Sequence, residues 1–232
     1  MHDHASKKKN SQLVNAESTK NKNTDMEIID LAHLMENNMP AYPGDPSPVF
    51  EFKNTHKTDG YQVIRMSLIT HTGTHLDTPA HFIADGDTLD KIPVKKFFGS
   101  GLLIDCSYIG QNEKITAKNI QPFASKLANI DFALIYTGWD THWGTSIYYQ
   151  GFPVLSEEAA GFLSEFQLKG IGLDVCSVDP VNSEKFPNHL LLLGKGLIII
   201  ENLTNLNHLT GKQFDFSAFP LKIKSGDGCP VR

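Results

Sequence analysis

A segment of eleven residues concentrates side chains that bind metal ions. It reads His71-Thr-Gly-Thr-His75-Leu-Asp77-Thr-Pro-Ala-His81, so that three histidines and one aspartate occupy odd positions. In an extended chain, side chains at every second position project to the same side. A helix is disfavoured here by Gly73, by the threonines and by Pro79. We therefore expect an extended segment that presents four polar side chains to one cavity.

Those side-chain types point to a divalent metal ion. Imidazole nitrogen and carboxylate oxygen are the ligands of zinc and of other divalent first-row metals. Four groups on one face supply three ligands and one proton-transfer group, and Gly73 between the first two histidines is expected to leave space for an ion or a bound molecule. Isolated surface or core histidines are the alternative, and the alignment of four groups disfavours it. A bound divalent ion would lower the pKa of water from about 15.7 toward about 7, which indicates metal-assisted hydrolysis.

A second cluster lies toward the C-terminus and is a candidate to complete the site. His189 precedes an apolar run, and Glu201 follows the apolar run Leu197 to Ile200 within the strand predicted at residues 196 to 202. A carboxylate at the end of such a strand is costly to bury unless it is paired or bound to metal. Taken alone, Glu201 fits a structural salt bridge equally well, and His189 alone fits a structural role better.

Alternating strand-like and helix-like patterns predict an α/β domain with a strand-rich core. β-branched, aromatic and apolar runs predict strands. They lie at residues 26–29, 49–52, 61–69, 102–105, 132–136, 172–174 and 196–202. Helices are predicted at residues 116–127 and 156–168, the second with Ser156 as its N-cap. Trp139, Trp143, Tyr148 and Phe98 are candidates for an aromatic pocket wall, although such residues usually lie in the core.

Composition limits the kinds of partner and the compartment. A net charge of -5 and a pI near 6.0 argue against a nucleic-acid or anionic-membrane surface, and the most apolar run is too short to span a bilayer. Residues 1 to 25 are polar and predict a disordered tail before a single domain at 26 to 232. Three widely spaced cysteines and no visible secretory signal indicate the cytoplasm, where the thiols act as small buried hydrophobes.

These motifs resemble the metal-dependent cyclase superfamily, whose best-known members are bacterial kynurenine formamidases. The resemblance rests on the pattern H-x-G-T-H-x-D-x-P-x-H and extends over nearly all of residues 26 to 232. Further matching residues are Tyr-Pro-Gly-Asp at 42 to 45, Tyr136-Thr-Gly-Trp139, Gly172-Leu-Asp174, Ser177, Asp179, His189 and Glu201-Asn-Leu.

The resemblance implies a swivelling β/β/α fold, a homodimer or homotetramer, and a site that holds two zinc ions, with manganese as an alternative. His71, His75, Asp77, His189 and Glu201 match the family's metal ligands, with Asp77 and Glu201 bridging. His81 matches the proton donor and acceptor, and Tyr42 matches a position that contacts the aromatic substrate. Asp174 and Asp179 are interpreted as structural polar residues, and Thr72 or Thr74 as residues that orient the ligand histidines.

The implied activity is hydrolysis of N-formyl-L-kynurenine to L-kynurenine and formate. Isatin-hydrolase-like members of the superfamily, which open a cyclic amide, tend to carry glutamine at the position of Glu201 and to use a single manganese ion. Other cyclic amides and lactones are alternative substrates. Outside hydrolysis, the sequence leaves open a mononuclear iron oxygenase with two histidines and one carboxylate, and a metal-binding protein without catalysis.

Overall fold

The computed structural model describes residues 27–232, so the predicted tail at residues 1 to 25 lies outside the described residues. A mixed seven-stranded sheet forms the centre, with two small two-stranded sheets beside it. The strands are β1 Val49–Asn54, β2 Val63–Ser67, β3 His75–Asp77, β4 Phe98–Asp105, β5 Lys114–Ile115, β6 Phe132–Tyr136, β7 Val154–Leu155, β8 Gly170–Leu173, β9 Ile198–Glu201, β10 Phe214–Ser217 and β11 Gly228–Pro230. The α-helices are α1 His56–Asp59, α2 Ala117–Ile120, α3 Ala124–Leu127, α4 Glu157–Ser164 and α5 Pro187–Gly194.

The central sheet has the strand order β10-β4-β6-β8-β9-β3-β11. Its inner strands β4, β6, β8 and β9 pair in parallel, as expected of strands covered on both faces. Alternate residues of β6 confirm that arrangement, because Ala133 and Ile135 pack in one hydrophobic cluster while Phe132 and Leu134 pack in the other. The predicted α/β class is therefore confirmed.

Pairing at one side of this sheet brings distant parts of the sequence together. β3 lies between β9 and β11 and is antiparallel to both. His75 is directly opposite Glu201, and Asp77 is directly opposite Gly228. The two candidate clusters found in the sequence therefore meet through the hydrogen-bond register of three strands.

The helix predictions hold in part. α4 begins where expected, and the hydroxyl of Ser156 accepts a hydrogen bond from the backbone N–H of Ala159 at 3.2 Å. The predicted helix at residues 116–127 is broken into α2 and α3 by a 3-10 segment at Gln121–Phe123. Pro122 lies in that segment, and a proline inside a helix removes a backbone hydrogen bond.

Two strand predictions are wrong. Residues 27–29 form no strand, Met26 lies outside the described residues, and the nearest pairing is an isolated bridge between Ala32 and Leu203. The segment from His71 to His81 is not extended throughout, because only His75–Asp77 is a strand. Of the described part of the chain, no helix is both long and apolar enough to cross a bilayer. All three cysteines are free and buried, as predicted.

Candidate metal centre

A turn, a short strand and a 3-10 helix bring the four polar side chains of the eleven-residue segment together. Gly73 has a φ of +65°, so the chain turns before it enters β3. After β3, Pro79–His81 forms a 3-10 helix that returns His81 toward the cavity. Convergence thus comes from two changes of backbone direction and not from the alternation of one strand. The glycine lines the cavity, which agrees with the expectation that it leaves space, and its left-handed conformation is a second reason for glycine at this position.

His75 is held by the ring nitrogen that faces away from the carboxylates. Its Nδ1–H donates to the carbonyl of Gly73 at 2.8 Å. The opposite nitrogen, Nε2, lies 3.4 Å from Asp77 Oδ1 and 3.5 Å from Glu201 Oε2. Because a carbonyl can only accept, Nδ1 carries the proton and Nε2 presents a lone pair, which is the arrangement of a metal-binding imidazole.

His189 is held in the same way from α5. Asp179 Oδ2 accepts hydrogen bonds from the backbone N–H of His189 at 3.0 Å and from its Nδ1–H at 2.7 Å. The Nε2 atom lies 3.4 Å from Glu201 Oε1 and 3.8 Å from Asp77 Oδ2. Asp179 was interpreted from the sequence as a structural residue outside the ligand set, and here it orients a candidate ligand.

Asp77 provides the test of whether a cation fits. Its Oδ2 atom is fully buried and has no hydrogen-bond partner. An unpaired buried carboxylate oxygen is costly, and a cation bound beside it would take the place of the protons on the inward nitrogens of His71 and His189. Two groups of three side chains, each with ligand atoms within 4.8 Å of one another, share this aspartate: His71, His75 and Asp77, and Asp77, His189 and Glu201. The donor set and the orphaned oxygen therefore suit divalent cations on both sides of Asp77.

The two buried carboxylates of the cluster, Asp77 and Glu201, have pKa values shifted in opposite directions. Burial and the charge of Asp77 raise the pKa of Glu201, against the opposing effect of His189. Burial alone would also raise the pKa of Asp77, but the hydrogen bond from His71 and the nearby imidazole of His75 hold it well below its usual range. A cation between these two carboxylates would relieve their mutual repulsion.

The histidines divide into two electrostatic types. Burial lowers the pKa of His189, but hydrogen bonds to Asp179 and Glu201 outweigh burial and raise it to about 10. The pKa of His71 is raised in the same way, to about 9, because hydrogen bonds to Asp77 and Asp227 outweigh burial. Burial dominates at His81 and lowers its pKa to about 4. His81 is therefore neutral at neutral pH and free to accept a proton.

One residue near the site was missed in the sequence. Asp227 Oδ2 lies 3.0 Å from His71 Nε2 and 3.6 Å from His81 Nδ1. It immediately precedes β11, which is antiparallel to β3. No local spacing relates Asp227 to the histidines, because only this long-range pairing brings them together.

The predicted orientation of the histidines by Thr72 or Thr74 is wrong. Thr72 Oγ1 donates to the carbonyl of Ile69, and Thr74 Oγ1 donates to the carbonyl of Asn202. Both hydroxyls therefore stabilise the backbone around the site, while the histidines are oriented by a backbone carbonyl and by carboxylates.

A cavity of about 320 Å³ opens onto the candidate ligands. His81 and Tyr42 both line it, as do the ligand side chains His71, His75, His189 and Glu201. Its remaining aromatic walls are Phe82, Tyr149 and Phe186. The four aromatic residues proposed from the sequence, Trp139, Trp143, Tyr148 and Phe98, do not line this cavity. Apolar walls with a few convergent polar groups are typical of small-molecule sites.

Comparisons with known proteins agree with this geometry. Residues 29–180 match the model of the family described as "Putative cyclase". A kynurenine formamidase of Bacillus cereus is 32% identical over 207 residues, which cover 89% of this chain and 95% of that protein. Isatin hydrolase A of Labrenzia aggregata, solved with benzyl benzoate, is similar with a TM-score of 0.79 and 28% identity, over 88% of this chain and 91% of that one. A solved "potential metal-dependent hydrolase with cyclase activity" has a TM-score of 0.70 and 26% identity. The match covers 88% of this chain and 94% of that one.

Proposed function

The chain belongs to the cyclase family and is a hydrolase of carbon–nitrogen bonds other than peptide bonds, and we propose that it hydrolyses N-formyl-L-kynurenine to L-kynurenine and formate. The observation that carries the proposal is the pair of ligand groups that share Asp77 at an aromatic-walled cavity. The identity to a kynurenine formamidase over most of both chains supports the choice of substrate.

The amide hydrolase depends on a divalent metal ion, and we propose two zinc ions per chain, with manganese as the alternative. His71, His75 and Asp77 would hold one ion, and Asp77, His189 and Glu201 the other. Bound there, such ions supply Lewis acidity, which activates water and polarises the formyl carbonyl. Glu201 suits a bridging role because it is charged and its two oxygens lie toward different histidines, Oε1 toward His189 and Oε2 toward His75.

His81 is the proposed proton-transfer residue. It lines the cavity beside the ligands and makes ring contact with His71, with the ring centroids 3.9 Å apart. Because its pKa is lowered to about 4, the imidazole starts neutral and accepts a proton from the attacking water. It then donates that proton to the departing arylamine nitrogen, so that the amine leaves uncharged.

The aryl group of the substrate is proposed to bind between the aromatic walls. Tyr42 lines the cavity and lies edge-on to Tyr149, with ring centroids 6.4 Å apart. Phe82 and Phe186 form another wall, with their ring centroids 5.2 Å apart. Offset and edge-to-face contacts with a planar ring are favourable, so this cavity suits an arylamine better than an aliphatic amide.

Ring opening of a cyclic aryl amide such as isatin is the second candidate. The likeness to isatin hydrolase A favours it, since the two chains share the fold over most of their lengths. Both reactions need an activated water, an aromatic pocket and a proton donor, and they differ in whether the two products separate.

A substrate panel on one preparation tests the proposal. Purified protein loaded with zinc would be assayed with N-formyl-L-kynurenine, N-formylaniline and isatin, with formate release and ring opening followed separately. We expect kcat/KM to be highest for N-formyl-L-kynurenine. Faster ring opening of isatin would favour the second candidate, and no turnover of any of the three would contradict both.

We also propose that the protein acts as a cytoplasmic homodimer or homotetramer. The free, buried cysteines fit a reducing compartment.

β1 and β2 form an isolated two-stranded sheet, which is marginally stable in water by itself. One face of that sheet is apolar, and we call it the hairpin face: it consists of Phe50, Phe52, Ile64 and Met66. Phe52 and Met66 are 62% and 61% exposed, so a second copy of the chain is the proposed cover.

A further inference from the structure

Asp227 reaches the site because the residue after it has no side chain. Gly228 lies opposite Asp77 in the pairing of β11 with β3. A Cβ atom at position 228 would lie 2.6 Å from His71 Cε1 and 2.9 Å from His71 Nε2, which is too close for any side chain. The glycine therefore lets β11 approach the imidazole ring, and the preceding carboxylate comes within hydrogen-bond distance of it.

The carboxylate of Asp227 is fixed in place from several directions. Its Oδ1 atom accepts a hydrogen bond from Thr70 Oγ1 at 3.0 Å. Its backbone carbonyl accepts from Thr78 N at 2.9 Å and from Thr78 Oγ1 at 3.0 Å. The remaining oxygen, Oδ2, accepts from Nε2–H of His71 at 3.0 Å. Two threonines thus hold Oδ1 and the backbone carbonyl of Asp227, which leaves Oδ2 to His71.

We infer that Asp227 is a positioning residue that keeps the proton of His71 on Nε2 and so directs Nδ1 toward the metal. Without an ion, His71 Nδ1–H donates to Asp77 Oδ1 at 2.7 Å, at the edge of the ligand cluster, and a divalent ion bound there would take the place of this proton while Nε2 keeps its own. The inference rests on the metal-dependent function proposed above and extends it to a residue outside the ligand set.

The other two histidines of the cluster have the same kind of support. His75 donates its Nδ1–H to Gly73 O, and His189 donates its Nδ1–H to Asp179. Asp227 supplies the third such acceptor, and it does so to Nε2 because His71 approaches the cluster through its other nitrogen. A hydrogen-bond acceptor behind a metal-bound imidazole fixes its tautomer and raises its basicity. His81 Nδ1 lies 3.6 Å from the same oxygen, too far for a hydrogen bond, so His71 is the principal partner.

Cobalt(II) binding to the metal-stripped full chain tests the inference without a substrate. We expect Asp227→Ala to weaken cobalt binding on the order of 10- to 100-fold and to change the visible absorption bands of the bound ion. Asp227→Asn keeps an acceptor oxygen and should recover part of the affinity. Asp90→Ala is the matched control. Asp90 accepts hydrogen bonds from the hydroxyl of Thr88 and from the backbone N–H of Ser225, two residues before Asp227, and makes no hydrogen bond to a histidine of the described chain. The control should bind cobalt like the unchanged protein.

Nitrogen-15 NMR of the histidine rings in the unchanged zinc-loaded protein gives a second measurement, which does not depend on the folding of an Asp227 variant. The signals of His71 are assigned by their loss in His71→Gln, and we expect a protonated Nε2 and a metal-bound Nδ1. A proton on Nδ1, unchanged cobalt affinity in Asp227→Ala, or equal weakening in Asp90→Ala would overturn the inference. Weaker cobalt binding in Asp227→Ala alone would support it even if the unchanged protein hydrolysed no amide, whereas absence of cobalt binding by the unchanged protein would overturn both proposals.

Discussion

Each candidate ligand histidine donates from one ring nitrogen to a fixed acceptor and directs the other toward Asp77 or Glu201. The acceptors differ in kind: the Gly73 carbonyl holds His75, and Asp179 holds His189. Chemical roles at this scale follow from hydrogen-bond direction and from burial. His81 differs from these ligands, because burial lowers its pKa to about 4 and it has no close carboxylate partner.

Replacing His81 with alanine separates proton transfer from metal binding. We expect His81→Ala to lower kcat on the order of a hundredfold or more, as for loss of a general acid and base. Metal content, measured by elemental analysis, should stay the same because the five ligand side chains are retained. If the metal were lost together with activity, His81 would be a ligand and its proposed role would be wrong.

Replacing Glu201 with glutamine removes a charge and one acceptor oxygen at nearly constant shape. In Glu201→Gln, the amide oxygen can still accept the hydrogen bond that Val178 N donates to Oε1 at 3.1 Å, so the fold should be preserved. We expect the metal content to fall from two ions per chain to one. Glu165→Gln, at an exposed position after α4, is the control and should keep both ions. Two ions in Glu201→Gln would remove the bridging role.

The residues that the sequence could identify are those of the compact motif. His71, His75, Asp77 and His81 lie within eleven residues, and their types alone indicate a metal. His189 and Glu201 were ambiguous one by one and were assigned through resemblance. Asp227 carried no local signal, because its position depends on the pairing of two strands far apart in sequence.

At the scale of elements, the site is built where three antiparallel strands meet a helix. β3 carries His75 and Asp77, β9 carries Glu201, and α5 carries His189. The buried parallel strands could be predicted because short, continuous apolar runs are typical of strands covered on both faces. β10, β11 and α5 could not be predicted, since strands of three or four residues are too short to show a period and the four consecutive leucines of α5 show none.

The extended interpretation of residues 71–81 failed for a specific physical reason. Identical spacing of side chains fits both a strand and a turn followed by a strand, and periodicity alone does not separate them. Gly73, with a φ of +65°, determines the outcome. The carbonyl of Gly73 then accepts hydrogen bonds from His75 Nδ1 and Asn202 Nδ2, both at 2.8 Å.

Gly73→Ala tests the role of this turn. Left-handed backbone costs a non-glycine residue about 1–2 kcal/mol, and the new Cβ would lie 2.8 Å from Met39 Cε. We expect a lower free energy of unfolding together with weaker zinc binding, because the Gly73 carbonyl orients His75. Gly144→Ala is the control, since Gly144 has a φ of +79° and open space around it. The control should lose stability and keep its zinc affinity, and an equal zinc affinity in both variants would contradict this role.

At the scale of the whole molecule, the hairpin of β1 and β2 exposes apolar side chains, whereas the central sheet buries them. Along β1 and β2 the hairpin face is apolar, while Glu51 and Arg65 are paired on the opposite face. Such alternation is typical of a strand pair with one covered face. The described chain supplies no core beneath it, which is the basis for the proposed homo-oligomer.

Two double substitutions on opposite faces test that proposal. We expect Phe52→Ser with Met66→Ser to lower the molar mass measured by light scattering to that of one chain, because apolar burial between copies is lost. Glu51→Ser with Arg65→Ser changes only the opposite face and should leave the mass unchanged. A monomeric unchanged protein, or equal masses for the two double variants, would contradict the oligomer.

Removal and return of metal test the central claim most directly. The full chain would be stripped with a chelator, and zinc would then be added in steps while bound zinc per chain and formate release from N-formyl-L-kynurenine are measured in the same samples. We predict no formate release from the stripped protein, full recovery of activity, and saturation at two zinc ions per chain. Formate release that persists in the stripped protein, or zinc that binds without restoring any hydrolysis, would contradict the account.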